Sequence, residues 1–142
     1  MSSLEIEELE VDFLILADFA QVVQGKLYLM GGAWDRKALQ SEQPLEFGFA
    51  AGIIVPWTLT NREHKFTIAI ENADGEKLGG SNVVSGGFTV GRSVKAIEGQ
   101  TFRGLIAGHV QGPHTDVGTY SLVLNVGADL TKKAVFHVVK VL

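Results

Sequence analysis

Between Leu45 and Val55 every second residue is apolar: Leu45, Phe47, Phe49, Ala51, Ile53 and Val55. A period of two is the repeat of an extended strand, whose side chains alternate between opposite faces. The intervening Gly48, Ala50 and Gly52 are small, so something is expected to pack closely on that second face as well. Pro56 follows at once and ends the strand at Val55, because proline cannot continue a ladder.

The same period recurs along the chain. Phe66, Ile68 and Ile70 alternate with Lys65, Thr67 and Glu71, and Tyr120, Leu122, Leu124 and Val126 form another row. Further strands are predicted at residues 11–17, 25–31, 86–91, 101–111 and 133–141. Turn signals separate them at Ala73-Asp74-Gly75, Gly79-Gly80, Glu98-Gly99, Gly112-Pro113 and Gly127-Ala128-Asp129. No segment sustains a helical pattern; residues 15–24 could hold one helical turn capped by Asp18. The expected fold is all-β: a single-domain antiparallel β-sandwich of seven to nine strands, immunoglobulin-like or jelly-roll. Residues 11–142 form that domain, behind an acidic N-terminal arm, residues 1–10.

Charge is concentrated in the arm. Glu5, Glu7, Glu8 and Glu10 precede any basic residue, which leaves twelve acids against twelve Lys and Arg in residues 11–142. A neutral body offers no field for nucleic acid or for an anionic membrane surface, so neither partner is expected. The chain has no cysteine, which removes disulfides, thiolate metal sites and a cysteine nucleophile. The N-terminus lacks the basic start and apolar stretch of a secretory signal, and no run of about 18 apolar residues could span a membrane, so a cytoplasmic location is expected. The hydrophobic class makes up 46% of the chain and mean hydropathy is +0.20. Such an excess is accommodated by burying strands on both faces or by covering apolar surface with another copy; a homo-oligomer is the expectation.

Few residues suggest chemistry. His109, His114 and Asp116 are ligand types for zinc or ferrous iron, although Thr115 and Asp116 serve equally as turn residues before Gly118. His137 reads as a hydrogen-bonded or half-exposed strand histidine, and His64, beside Arg62 and Glu63, as a solvated strand entry. No Gly-x-Ser-x-Gly elbow anchors a triad. Residues 85–93, with glycine amides and Arg92, invite an anion but lack the strand–loop–helix setting of a phosphate loop. Arg92 and Arg103 could instead pair with carboxylates across strands. Trp34, followed by Asp35 and Arg36, and Trp57 after Pro56 are aromatic features suited to an interface, a ligand pocket or the end of a core. Trp34 in particular reads as a plug over the core after the Gly31-Gly32 pair, its N–H bonded to a loop carbonyl, with Asp35 and Arg36 beginning a loop.

Three segments, residues 17–36, 55–76 and 86–92 with 118–126, together resemble a family of small uncharacterised bacterial proteins catalogued as a domain of unknown function. The resemblance covers most of residues 11–139. It implies a compact β-rich domain and carries over no activity, cofactor or site residue. At the position after Gly31-Gly32 the family pattern leads one to expect glycine, where this chain has Ala33.

These observations lead to three functional expectations. The first is a non-enzymatic sandwich acting by self-association or protein binding, without a cofactor, with Trp34, Asp35, Trp57 and Arg92 as its binding residues. The second is a small-ligand sandwich with a pocket near Trp34, Trp57 and Arg92. The third is a metal-dependent enzyme built on His109, His114 and Asp116. The acidic arm reads first as a disordered, solubilising tail, and Leu4, Ile6 and Leu9 also give it a means to add as a strand to a neighbour's sheet edge.

Overall fold

A computed structural model describes residues 8–79 and 84–141. Nine strands run in chain order: β1 Glu10–Val23, β2 Lys26–Gly32, β3 Arg36–Leu39, β4 Leu45–Val55, β5 Glu63–Asn72, β6 Val84–Thr89, β7 Phe102–Gly112, β8 Gly118–Val126 and β9 Leu130–Lys140. They form two sheets, ordered β2-β1-β4-β7 and β3-β9-β8-β5-β6. No described helix is long and apolar enough to cross a membrane.

The sandwich follows from the alternation. The row Leu45, Phe47, Phe49, Ala51, Ile53 and Val55 is almost wholly enclosed, and it meets Ile68, Ile70, Tyr120, Leu122, Leu124, Val126, Phe136 and Val138 of the other sheet. The second face of β4 is covered too. Phe13, paired with Gly52, lays its ring where a Cβ on that glycine would stand, and the backbone of Phe19 and Ala20 crosses Gly48. Glycine is required at both places because a close approach fills the space a side chain would need.

Three hairpins, β1–β2, β5–β6 and β8–β9, each stay within one sheet. Short β3 runs parallel to the end of β9. The Tyr120 hydroxyl, at the start of β8, donates to the Asp116 carbonyl at 2.8 Å. A tyrosine bonded back to the preceding corner is a hallmark of immunoglobulin-like sandwiches. Burial, and then the Asp116 carboxylate, raise its pKa above the ordinary 10.0.

Two local expectations are corrected. Residues 15–24 hold no helical turn: β1 continues to Val23 and turns through Gln24 (φ 50°) and Gly25 (φ 73°) into β2. Two positive φ values in a two-residue loop match the twist of an antiparallel pair, so the paired strands Ala20–Val23 and Lys26–Leu29 prevail over any cap at Asp18. Asp35 and Arg36 do not open a loop; Arg36 starts β3, and the Asp35 carbonyl accepts from the His137 amide. At the end of the expected arm, Leu9 packs on the core and Glu10 opens β1. Most of the acidic arm (residues 1–7), and Gly80 of the Gly79-Gly80 signal, lie outside the described residues.

Candidate interaction surface

The two tryptophans occupy opposite ends of the sandwich. Trp34 packs edge-on against Phe47 (centroids 5.5 Å apart) and Phe136 (6.4 Å), with Lys37 Nζ 5.8 Å from its ring centroid. Trp57 follows the far end of β4 and lies against Phe102, the partner of Val55. Phe47 and Val55 are eight residues apart on one strand, roughly 26 Å at the rise of an extended chain. The expected pocket shared by Trp34, Trp57 and Arg92 is therefore divided between two ends.

Arg92 stays with Trp57. Its guanidinium carbon sits 3.8 Å from the indole centroid, Nε donates to Thr60 Oγ1 at 2.7 Å, and a terminal nitrogen donates to the Trp57 carbonyl at 2.9 Å. These contacts tie the β6–β7 connection to the 3₁₀ turn Trp57–Leu59. Arg92 pairs with no carboxylate among the described residues, whereas Arg103 does so with Asp12, across the intervening β4.

Trp34 does plug the core, but not by the expected bond. Its indole N–H is buried and has no acceptor among the described residues. Asp35 is exposed and its carboxylate lies 3.9 Å from Arg36 Nε.

The three candidate metal ligands have separate surroundings. His109 Nε2 is 4.0 Å from Glu46, and His114 Nδ1 is bonded to the Gln43 carbonyl at 2.8 Å. Asp116 offers its carbonyl to Tyr120. No three His, Asp or Glu side chains cluster as a metal site among the described residues. His137 bonds Thr119 Oγ1 as a half-exposed strand residue. His64 is less solvated than expected: it is half-buried, bonded to the Leu59 carbonyl at 2.8 Å and packed on Phe88. A cleft of about 240 Å³ lies between Leu39–Ser41, His114–Val117 and Val138–Lys140. Its volume falls below the roughly 300–1,000 Å³ usual for small-molecule sites.

A different surface stands out. On the β1–β2 hairpin, Phe19 lies opposite Met30, Gln21 opposite Tyr28 and Val23 opposite Lys26, so all six share one face. Phe19 is 49%, Tyr28 54% and Met30 69% exposed, while on the other face Ala20, Val22 and Leu27 are half-buried and Leu29 is exposed. The hairpin thus has two apolar faces, and the fold covers one of them in part and leaves the other open. Sequence reading put Tyr28 and Met30 on a strand but ended β1 at residue 17, so Phe19 and Val23 were not placed beside them. Extending β1 and pairing it with β2 would have exposed the cluster.

The architecture defines a two-sheet β-sandwich with an open apolar face on its β1–β2 hairpin. Among known families, the chain belongs to DUF6941, a family of unknown function whose family model matches residues 12–139. No curated protein matches the chain.

Proposed function

We propose that this protein is a non-enzymatic module that works by self-association or by binding another protein, in the cytoplasm of a bacterial cell. The observation that supports this reading is the open face of Phe19, Tyr28 and Met30. Aromatic and methionine side chains are enriched at the centres of protein interfaces and depleted from free surface. The neutral body adds no long-range repulsion between copies. Trp34 and Arg92, named from the sequence as binding residues, act in this reading as supports for the two ends of the sandwich.

The decisive measurement is the mass of the protein purified from its own host, by light scattering and native mass spectrometry. The expected result is a mass above the 15.3 kDa of one chain, from further copies or a stoichiometric protein partner. A single chain that remains monomeric at high concentration and carries no partner sinks the proposal. The association should change little between low and high salt, since the contact face is apolar.

A further inference from the structure

The described edges of the two sheets are β2, β7, β3 and β6. Strand β7 carries Arg103 and His109 along its length, β3 has four residues including Arg36 and Lys37, and β6 is interrupted by Gly86 and Gly87. Charge and brevity are usual means of discouraging a foreign strand, and glycine weakens one. Over its middle, strand β2 has none of these: Tyr28, Leu29 and Met30 are uncharged and exposed, with the single charge, Lys26, at one end and Gly31-Gly32 at the other. No strand pairs with the outer side of β2 among the described residues.

Resting on the self-association reading above, we propose that two copies of the chain join through β2, edge to edge and antiparallel, with Leu29 at the two-fold axis. Two copies of the four-stranded sheet then become one continuous sheet. The sequence of β2 is self-complementary in this register. Tyr28 of each copy faces Met30 of the other, an aromatic–thioether contact made twice, and Leu27 faces Gly31. Lys26 lies opposite Gly32, which keeps the two lysines about 20 Å apart, well beyond the Debye length at physiological salt. Tyr28 and Met30, the most exposed apolar residues of β2, are the ones that meet across the paired edges. A second copy fits better than a charged partner because the contact strand is uncharged in its middle and the body it belongs to is neutral.

The test uses three forms of the full chain. Wild type should scatter as twice the 15.3 kDa chain mass. The double variant Tyr28→Lys/Met30→Lys should dissociate at least about 100-fold more readily while keeping the wild-type circular dichroism, since both side chains are exposed. Because the chain has no cysteine, Leu29→Cys supplies one thiol per copy. A short bismaleimide should cross-link it into dimers under conditions where Val94→Cys, on the β6–β7 connection, stays single. A wild-type monomer at all concentrations overturns both this inference and self-association. A wild-type dimer that is indifferent to the lysine pair, or that cross-links as well through Val94→Cys, overturns the β2 edge and leaves self-association standing.

Discussion

Ala33 is where a single residue works hardest against its own chemistry. Its φ is +66°, a left-handed conformation that costs a residue with a Cβ about 1–2 kcal/mol, and its amide is tied to the Leu16 carbonyl at 2.7 Å. Resemblance to the family led one to expect glycine here, and the backbone shows why. Ala33→Gly should therefore raise stability by about 1 kcal/mol in chemical denaturation, the strain relieved outweighing the added freedom of the unfolded chain. Tyr120 offers the opposite case, a polar group satisfied in a buried corner. Tyr120→Phe should cost about 1–2 kcal/mol by leaving the Asp116 carbonyl without its donor. The raised phenol pKa adds a pH signature. Its stabilisation is present in full below the unfolded value of 10.0 and is lost as pH rises through the higher folded value. Unfolding at alkaline pH should show this loss in wild type and not in Tyr120→Phe; equal slopes for the two would remove the phenol as its source.

At the scale of elements, aromatic residues repeatedly stand opposite glycines on neighbouring strands. Phe13 pairs with Gly52, Phe49 with Gly108 and Phe66 with Gly86, and in each pair the ring lies over the glycine. The ring covers backbone that a glycine would leave bare, which helps to hold strands in register. At Gly108 the arrangement cannot relax, because Phe49 is fully enclosed and its ring stands 2.9 Å from where a Cβ would be. Gly108→Ala should cost about 2 kcal/mol by overpacking. Gly127→Ala, at a turn with nothing within 4 Å of the new methyl but φ at +61°, tests the backbone alone and should cost about 1 kcal/mol. A Gly108→Ala protein as stable as wild type would mean that β4 and β7 can slide apart where the pairing says they cannot.

For the whole molecule the central question is whether the apolar excess is internal or shared between copies. Much of it is internal: β4 is enclosed on both faces, and each sheet contributes to one continuous core. Among the described residues, half of the exposed large apolar ones lie on the β1–β2 hairpin, and the rest are scattered over Val94, Ile97, Val117, Val135 and Val141. If copies join, unfolding is coupled to dissociation, and the melting temperature should rise with protein concentration. Scanning calorimetry over a hundredfold range of concentration measures this directly. A constant melting temperature would assign the hairpin face to some role other than self-association.

The sequence by itself determined what repeats locally. Alternation marked eight of the nine strands, Pro56 marked the end of β4, and small residues at positions 48, 50 and 52 announced a layer on its second face. Strand β3 escaped notice because four residues are too few for a period to show, and its pairing partner lies about a hundred residues further along the chain. Tertiary structure decided the rest. Only the register of β1 against β2 put Phe19 beside Met30, only the length of β4 separated Trp34 from Trp57, and only the folded corner returned the Tyr120 hydroxyl to the Asp116 carbonyl. Periodicity records which face a side chain takes, whereas proximity depends on pairings between distant segments, which a linear pattern does not encode.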